Sequence, residues 1–153
     1  MAAGQLGNPM RFLLCGIGSI GQRHYKNLRQ LGHETAIVRS GKNTGYNNEF
    51  LEKFFAEQGK EGNPVIEFQR FEEALTQFNP DAVFITNPNA NHLETALKAA
   101  RAGKHLFIEK PVAMSIEGVS ALESLVQEKK LIAMVGYNFR FHPLLQKMKE
   151  LFD

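Results

Sequence analysis

The sequence predicts an α/β protein whose core is a doubly wound, six-stranded and mainly parallel sheet between two layers of helices. Short apolar segments alternate six times with segments of helical period, which is the pattern of repeated βαβ units. A Gly-x-Gly-x-x-Gly stretch, residues 16–21, directly follows the first apolar segment and opens a helical one. The length of 153 residues, 43% of them hydrophobic, suits one domain with a full core. Together these observations indicate a Rossmann fold in three α/β/α layers.

The predicted strands are short and mostly continuous apolar runs, as expected when helices cover both faces of a parallel sheet. They lie at residues 11–15, 35–38, 65–68, 82–85, 105–108 and 131–135. The predicted helices carry apolar residues three and four positions apart and lie around residues 19–31, 50–59, 71–78, 93–100, 116–126 and from 144 onward. We expect Gly32 and Gly103 to end two of these helices, and Ser115 to cap the start of the fifth.

Composition and charge exclude several classes of partner. The formal net charge is +2 and the basic residues are spread along the chain, so we expect no nucleic-acid partner. No apolar run reaches the length of a membrane span and no signal peptide is visible, so we expect a cytoplasmic protein with no membrane partner. The single cysteine, Cys15, excludes an internal disulfide and suits a buried packing thiol. No His, Cys, Asp or Glu set has metal-ligand spacing, so no metal is expected.

The glycine stretch after the first strand is the first candidate binding element. Gly16 allows a tight strand-to-helix turn, Gly18 lets the backbone approach a pyrophosphate, and Gly21 lets the helix lie close to its strand. The N–H groups at the helix start, at Ser19 and Ile20, then face the phosphates of a dinucleotide. The alternative is a turn whose glycines serve only the fold.

The end of the second strand bears on which dinucleotide binds. An acidic residue roughly 20 positions beyond the glycine turn would accept hydrogen bonds from the ribose 2′-hydroxyl of NAD. This region instead holds Arg39, Ser40 and Lys42, which suit the 2′-phosphate of NADP. NADP is therefore the favoured cofactor and NAD stays open as an alternative. These residues would otherwise form a solvated basic turn.

Polar residues also follow the fourth strand, whose carboxyl end opens into the ligand crevice of such a sheet. The candidates there are Thr86, Asn87, Pro88, Asn89 and His92. His92 is either a polar group near the nicotinamide or substrate, or a residue of the next helix that is exposed or bonded to Asn89. Asn87 and Asn89 suit either helix capping or contact with the cofactor ribose. His24 and Tyr25, on the first helix, are expected to serve packing or to lie at the surface.

The fifth and sixth strands are followed by two further polar stretches. Lys110, in Glu109-Lys110-Pro111, is expected to point its ammonium into the crevice, with Glu109 holding it by a charged hydrogen bond. There it would orient a substrate hydroxyl, stabilise an alkoxide or transfer a proton. The alternative is a surface lysine at a strand end. A polar-aromatic cluster after the sixth strand suits ligand contacts, a linker, or both; its members are Tyr137, Asn138, Arg140 and His142.

Together these stretches resemble the glucose–fructose oxidoreductase and inositol dehydrogenase family, also written Gfo/Idh/MocA. The matching stretches are residues 16–21 with His24 just beyond, residues 86–92, Glu109-Lys110-Pro111, and residues 136–141. Their order and spacing agree from residue 11 to residue 143. Many families share the glycine turn, whereas the Glu-Lys-Pro tripeptide followed by Gly-Tyr-Asn-Phe-Arg-Phe is much more specific.

The resemblance implies an NAD(P)-dependent oxidoreductase that acts on CH–OH groups of sugars, polyols or their derivatives. It implies that Lys110 reaches the nicotinamide region and the substrate hydroxyl, and that His92 and Tyr137 border the nicotinamide site. It also implies a cis Lys110–Pro111 bond, as in some relatives. It does not decide between NAD and NADP.

The resemblance further implies a second, substrate-binding domain. Residues 10–142 would form the dinucleotide-binding domain, and residues 143–153 the start of a connection to that second domain. Residues 1–9 are small, polar and glycine-containing, so we expect them to form a flexible tail. The longer enzyme would be a homo-oligomer, and the isolated first domain would bind the cofactor with little or no turnover. Two alternatives stay open from the residues: a stand-alone NADP-binding sensor or regulatory module without catalysis, and a scaffold whose glycines are only structural.

Overall fold

The computed structural model describes residues 8–39, 48–59 and 64–152, and in these residues strands and helices alternate as predicted. The strands are β1 (Arg11–Cys15), β2 (Glu34–Val38), β3 (Ile66–Phe68), β4 (Ala82–Ile85), β5 (His105–Ile108) and β6 (Ala133–Val135). The helices are α1 (Ser19–Gln30), α2 (Asn48–Gly59), α3 (Phe71–Gln77), α4 (His92–Arg101), α5 (Val119–Glu128) and α6 (Pro143–Phe152). Short 3₁₀ turns, Asn89–Asn91 and Asn138–Phe141, follow β4 and β6.

The six strands form one fully parallel sheet in the order β3-β2-β1-β4-β5-β6. This order confirms the predicted doubly wound fold. The chain moves outward from β1 to β3 on one side, then returns to the other side of β1 to form β4. The carboxyl ends of β1 and β4 therefore flank a topological switch point, which is where such sheets open a ligand crevice.

Alternating side chains of each strand face opposite layers of helices, and this builds two cores. Leu13 and Cys15 of β1 pack towards α3, α4 and α5, whereas Phe12 and Leu14 pack towards α1 and α2. Cys15 is the buried packing thiol that the sequence predicts, and burial raises the pKa of its thiol well above the usual range. Because β1 is covered on both faces, its position and that of the turn after it are fixed by packing.

The fifth helix begins later than the sequence predicts, and Ser115 does not cap it. Helix α5 starts at Val119, and the residue before it, Gly118, has a left-handed φ of +80° that interrupts any helix begun earlier. A Cβ on Gly118 would lie 3.2 Å from Leu93 Cδ2 of α4, so close helix packing also favours glycine here. Ile116 is left outside the helix and is 90% exposed. Gly32 and Gly103 end their helices with positive φ, as predicted.

Tyr25 offers a test of how the α1 layer is packed. Its ring is fully buried against the edge of Phe54, and its hydroxyl has no hydrogen-bond partner among the described residues. A buried hydroxyl without a partner costs about 1–3 kcal/mol. We therefore expect Tyr25→Phe to leave the free energy of unfolding unchanged or to raise it by up to about 1 kcal/mol, as measured by urea denaturation.

Tyr25→Leu is the matched control, because it removes the ring together with the hydroxyl. It should lower the free energy of unfolding by about 1–3 kcal/mol through lost packing. A loss of comparable size in Tyr25→Phe would show instead that the hydroxyl is hydrogen-bonded.

Candidate active site

A pocket of about 330 Å³ opens at the carboxyl edge of the sheet. It is lined by the segments that follow β1, β4, β5 and β6, namely Ile20, Thr86, Asn87, Asn89, His92, Glu109, Lys110, Gly136, Asn138 and Phe139. Eight of these are predicted contact residues, Asn138 among them; Gly136 and Phe139 are not, although they belong to the polar-aromatic stretch that follows β6. A cavity of about 380 Å³ at the opposite edge, beside Asp81 and Lys104, lies away from the carboxyl ends of the strands.

The glycine turn is shaped by contact with its own chain. Gly16 has a φ of +103°, and a Cβ there would lie 2.6 Å from Asn87 Cα. A Cβ on Gly21 would collide with the carbonyl oxygen of Gly16. The Thr86 hydroxyl donates to that same carbonyl at 2.7 Å. Both glycines are therefore required by packing, whatever they also do for a ligand. The turn leads directly into α1, whose first turn lies beside the pocket at Ile20.

His92 ties the segment after β4 to the segment after β5. It is 1% exposed, with Nδ1 2.7 Å from the Pro111 carbonyl oxygen and Nε2 2.8 Å from the Asn87 carbonyl oxygen. A neutral imidazole donates to one of these oxygens, and a doubly protonated ring donates to both. The interpretation in which His92 is exposed or bonded to Asn89 is wrong, because the ring is buried and holds Asn87 and Pro111.

Asn87 lines the pocket and has one buried side-chain acceptor without a partner among the described residues. Its side-chain Nδ2 donates to Thr95 Oγ1 at 2.9 Å, which orients the amide. Its Oδ1 is buried and has no hydrogen-bond partner among the described residues. Because buried polar atoms are nearly always paired, this oxygen is suited to accept a hydrogen bond from a bound molecule.

Glu109 is held by a histidine rather than by the lysine that follows it. Its Oε1 lies 2.8 Å from Nε2 of His24 on α1, and its Oε2 accepts a 3.3 Å hydrogen bond from the Lys110 backbone N–H. A Cβ on Gly136, the residue after β6, would come within 3.1 Å of the carboxylate, so the chain packs closely against Glu109 there. The predicted charged hydrogen bond between the Glu109 carboxylate and the Lys110 ammonium does not form; the carboxylate contacts His24 and the Lys110 backbone instead. His24 packs against the Phe84 and Phe107 rings, in agreement with the predicted packing role, and it also holds Glu109.

Lys110 lies at the pocket with an exposed side chain, and no described residue pairs with its ammonium. The Lys110–Pro111 peptide bond is cis, as the resemblance implies. The ammonium is therefore free to meet a molecule bound in the pocket, which keeps the functional interpretation of this lysine open to test.

Arg39 follows β2 directly and meets a carboxylate that local sequence does not reveal. Its Nε lies 2.8 Å from Glu67 Oε1 of the neighbouring strand β3, and its guanidinium lies over the Phe55 ring with 5.6 Å between Cζ and the centroid. The sequence shows no acid at the end of β2, yet the sheet places one there. Ser40 and Lys42, predicted with Arg39, lie outside the described residues.

The remaining predicted site residues surround the pocket without lining it. Gly18 caps α1 and Ser19 begins it, and Pro88 precedes the 3₁₀ turn that contains Asn89. Tyr137 is 59% exposed, and the Arg140 guanidinium stacks on Phe141 at 5.5 Å in the second 3₁₀ turn. Throughout the described part of the chain, no helix combines the length and apolar character needed to cross a membrane, and no three His, Cys, Asp or Glu side chains form a metal-binding group.

The fold, the glycine turn and the Glu109-Lys110-Pro111 segment fit a sequence family described as "Oxidoreductase family, NAD-binding Rossmann fold", whose profile matches residues 10–137. The chain belongs to this Gfo/Idh/MocA family. The resemblance drawn from the motifs is thereby confirmed, as is the place of this chain among nucleotide-binding oxidoreductase domains.

Individual relatives give the same result. The chain is 30% identical over 134 residues to a 4-carboxy-2-hydroxymuconate-6-semialdehyde dehydrogenase of Sphingobium sp., covering 88% of this chain and 40% of that one. It is 29% identical over 146 residues to the scyllo-inositol 2-dehydrogenase (NAD(+)) of Bacillus subtilis, covering 95% and 41%. The structure of scyllo-inositol dehydrogenase from Lactobacillus casei with NAD(H) and scyllo-inositol superposes with a TM-score of 0.77 at 25% identity, covering 95% and 41%. The chain thus spans about 40% of the length of these relatives.

Gly21 provides a direct test of the turn in this Gfo/Idh/MocA domain. A methyl group there would collide with the Gly16 carbonyl oxygen, which is backbone and cannot move aside cheaply. We expect Gly21→Ala to lower the free energy of unfolding by about 2 kcal/mol or more, measured by thermal or urea denaturation. Gly59→Ala is the matched control, because a Cβ on Gly59 has nothing within 4 Å and its stability should stay within about 1 kcal/mol of the wild type. Equal stability of the two variants would contradict the close approach at Gly21.

Proposed function

We propose that this domain binds NADP in preference to NAD, and that the whole protein transfers a hydride between the nicotinamide and a sugar, a polyol or a derivative of one. The family supplies the coarse chemistry, an oxidoreductase with a nicotinamide cofactor. The substrate class is supported by the names of relatives, which include inositol 2-dehydrogenases and a UDP-N-acetylglucosamine 3-dehydrogenase. A secondary alcohol carbon on a small, polar, hydroxyl-bearing molecule is the reacting group that these have in common.

The proposal rests chiefly on the pocket at the carboxyl edge of the sheet. One cavity joins the start of α1, where a pyrophosphate would meet backbone N–H groups, to Asn87 and Lys110. The orphaned Asn87 Oδ1 and the unpaired Lys110 ammonium give that cavity an acceptor and a cation for a ligand. These residues fit a dinucleotide at one end and a polar substrate at the other.

Lys110 is the residue to which we assign the chemical step. A bound nicotinamide cofactor would accept the hydride that oxidation removes from the secondary alcohol carbon, and the hydroxyl proton would pass to solvent. The Lys110 ammonium would hold the hydroxyl oxygen in place and stabilise the negative charge that develops on it as the proton leaves. His92 and Glu109 support this arrangement by fixing the segments on either side of the lysine.

The preference for NADP rests on Arg39. It stands immediately after β2, where Rossmann proteins read the ribose 2′ position, and a guanidinium binds phosphate by paired, charge-assisted hydrogen bonds. The scyllo-inositol dehydrogenase from Lactobacillus casei is described with bound NAD(H). Under this proposal, the 2′ position is where the present domain differs from that relative.

The remainder of the proposal concerns the whole protein. Apolar side chains on α6 and β6 stay exposed, among them Met134, Leu144, Leu151 and Phe152, and a large uncovered apolar surface is typical of an interface. We propose that this apolar surface is covered either by another part of the whole protein or by a second subunit of a homo-oligomer. We also propose that the covering part helps to position the substrate. Because positioning supplies a large share of catalysis, the domain alone should bind cofactor with little turnover.

Calorimetric titration of this chain tests the binding part of the proposal. We expect heat with both dinucleotides and a lower Kd for NADP than for NAD. Arg39→Gln should weaken NADP binding by about tenfold or more and change NAD binding by less than about threefold. Arg101→Gln, at the end of α4, is the control for loss of a positive charge. If neither NADP nor NAD gives heat, only the interpretation of the chain as a scaffold with structural glycines is left. If NAD binds more tightly than NADP, the proposed role of Arg39 is contradicted.

Steady-state kinetics of the complete gene product test Lys110. We expect Lys110→Ala to lower kcat by about a hundredfold or more while the Kd of the cofactor changes by less than about threefold, because the lysine acts mainly on the reacting oxygen. Lys104→Ala, just before the amino end of the same strand β5, is the matched control and should keep its kcat. Unchanged turnover in Lys110→Ala would return this residue to the role of a surface lysine.

A further inference from the structure

We infer that Glu67, on strand β3, lowers the discrimination of NADP from NAD because its carboxylate competes with the ribose 2′-phosphate for Arg39. This inference rests on the cofactor site proposed above and concerns its specificity. The local sequence around the second strand does not reveal Glu67. A carboxylate beside Arg39 would allow the domain to bind both dinucleotides rather than one alone.

Strand pairing places the two side chains together. In the parallel ladder of β2 and β3, Ile37 stands opposite Glu67 and Val38 opposite Phe68. The ladder continues one step further, because the Arg39 backbone N–H donates to the Phe68 carbonyl at 3.0 Å. The position of Arg39 beside Glu67 is therefore fixed by main-chain hydrogen bonds.

The side-chain contact between them is a charged hydrogen bond of good geometry. Arg39 Nε lies 2.8 Å from Glu67 Oε1, and the same oxygen accepts a 3.1 Å hydrogen bond from Gln69 Nε2. The Arg39 and Glu67 side chains are 33% and 26% exposed, so solvent reaches both but the pair is partly shielded. Phe55 lies under the guanidinium and supports its plane. Arg39 is thus already oriented and already partnered.

This pairing changes what a bound cofactor meets. A 2′-phosphate carries close to two negative charges near neutral pH, so it is attracted by the guanidinium and repelled by the carboxylate beside it. Phosphate binding must therefore proceed beside Glu67 or at the expense of the Arg39–Glu67 contact. A ribose 2′-hydroxyl is uncharged and can donate to a carboxylate, so NAD meets no such repulsion. Glu67 consequently weakens the preference for NADP that Arg39 creates.

Titration of the Glu67→Gln variant of this chain with NADP and with NAD tests the inference. The substitution keeps the size of the side chain and removes its charge. We expect the affinity for NADP to rise about three- to tenfold and the affinity for NAD to stay equal or fall, so that the ratio of the two dissociation constants shifts towards NADP. The shift should shrink as salt is raised from about 0.05 to 0.5 M, because it is electrostatic.

Glu34→Gln is the matched control. It removes the same charge from strand β2, at the amino end that lies away from Arg39, where Glu34 pairs with Arg11 at 3.5 Å. This variant should leave the ratio of dissociation constants unchanged. Should Glu67→Gln fail to fold, Glu67→Thr serves the same purpose, because a β-branched residue suits an edge strand.

A double substitution separates this inference from the proposed function. In an Arg39→Gln background, Glu67→Gln should no longer raise NADP affinity, because the group it releases is gone. If Arg39→Gln alone leaves NADP binding unchanged, the role of Arg39 is wrong. If Arg39→Gln weakens NADP binding but Glu67→Gln leaves the ratio unchanged, or changes it equally with and without Arg39, only the role of Glu67 is overturned.

Discussion

The close approach of the glycine turn to the segment after β4 is the contact on which the whole site depends. Gly16 lies so near this segment that a Cβ would stand 2.6 Å from Asn87 Cα, and the Thr86 hydroxyl closes the contact with a 2.7 Å hydrogen bond to the Gly16 carbonyl. Such a contact requires β1 and β4 to be neighbours, which the strand order provides at its switch point. It holds the first turn of α1 at the edge of the pocket.

Several polar side chains around this contact form hydrogen bonds that hold neighbouring segments in place. His92 joins the Asn87 and Pro111 carbonyls, and His24 reaches from α1 to the Glu109 carboxylate. These residues act as braces between segments that belong to different strands. Among the described residues that line the pocket, the Asn87 Oδ1 and the Lys110 ammonium have no protein partner.

The electrostatics of the cofactor end follow the same logic of strand pairing. Arg39 and Glu67 are 28 residues apart and meet because β2 and β3 are adjacent and parallel. Their formal charges cancel, so a cofactor that reached this point would meet the pair rather than a single cation. The end of β2 carries no carboxylate of its own, and the carboxylate that stands beside Arg39 comes from the next strand.

The sequence by itself determined the alternation of strands and helices, the glycine turn, the family and most of the residues that line the pocket. These follow from apolar periodicity and from short motifs whose chemistry is local. Tertiary structure alone decided that α5 begins after Gly118 rather than at Ser115, that His92 is a buried brace, that His24 holds Glu109, and that Glu67 stands beside Arg39. Each of these outcomes depends on packing or pairing between segments that are distant in the chain. A local pattern of residue types does not predict which distant residue will be in contact.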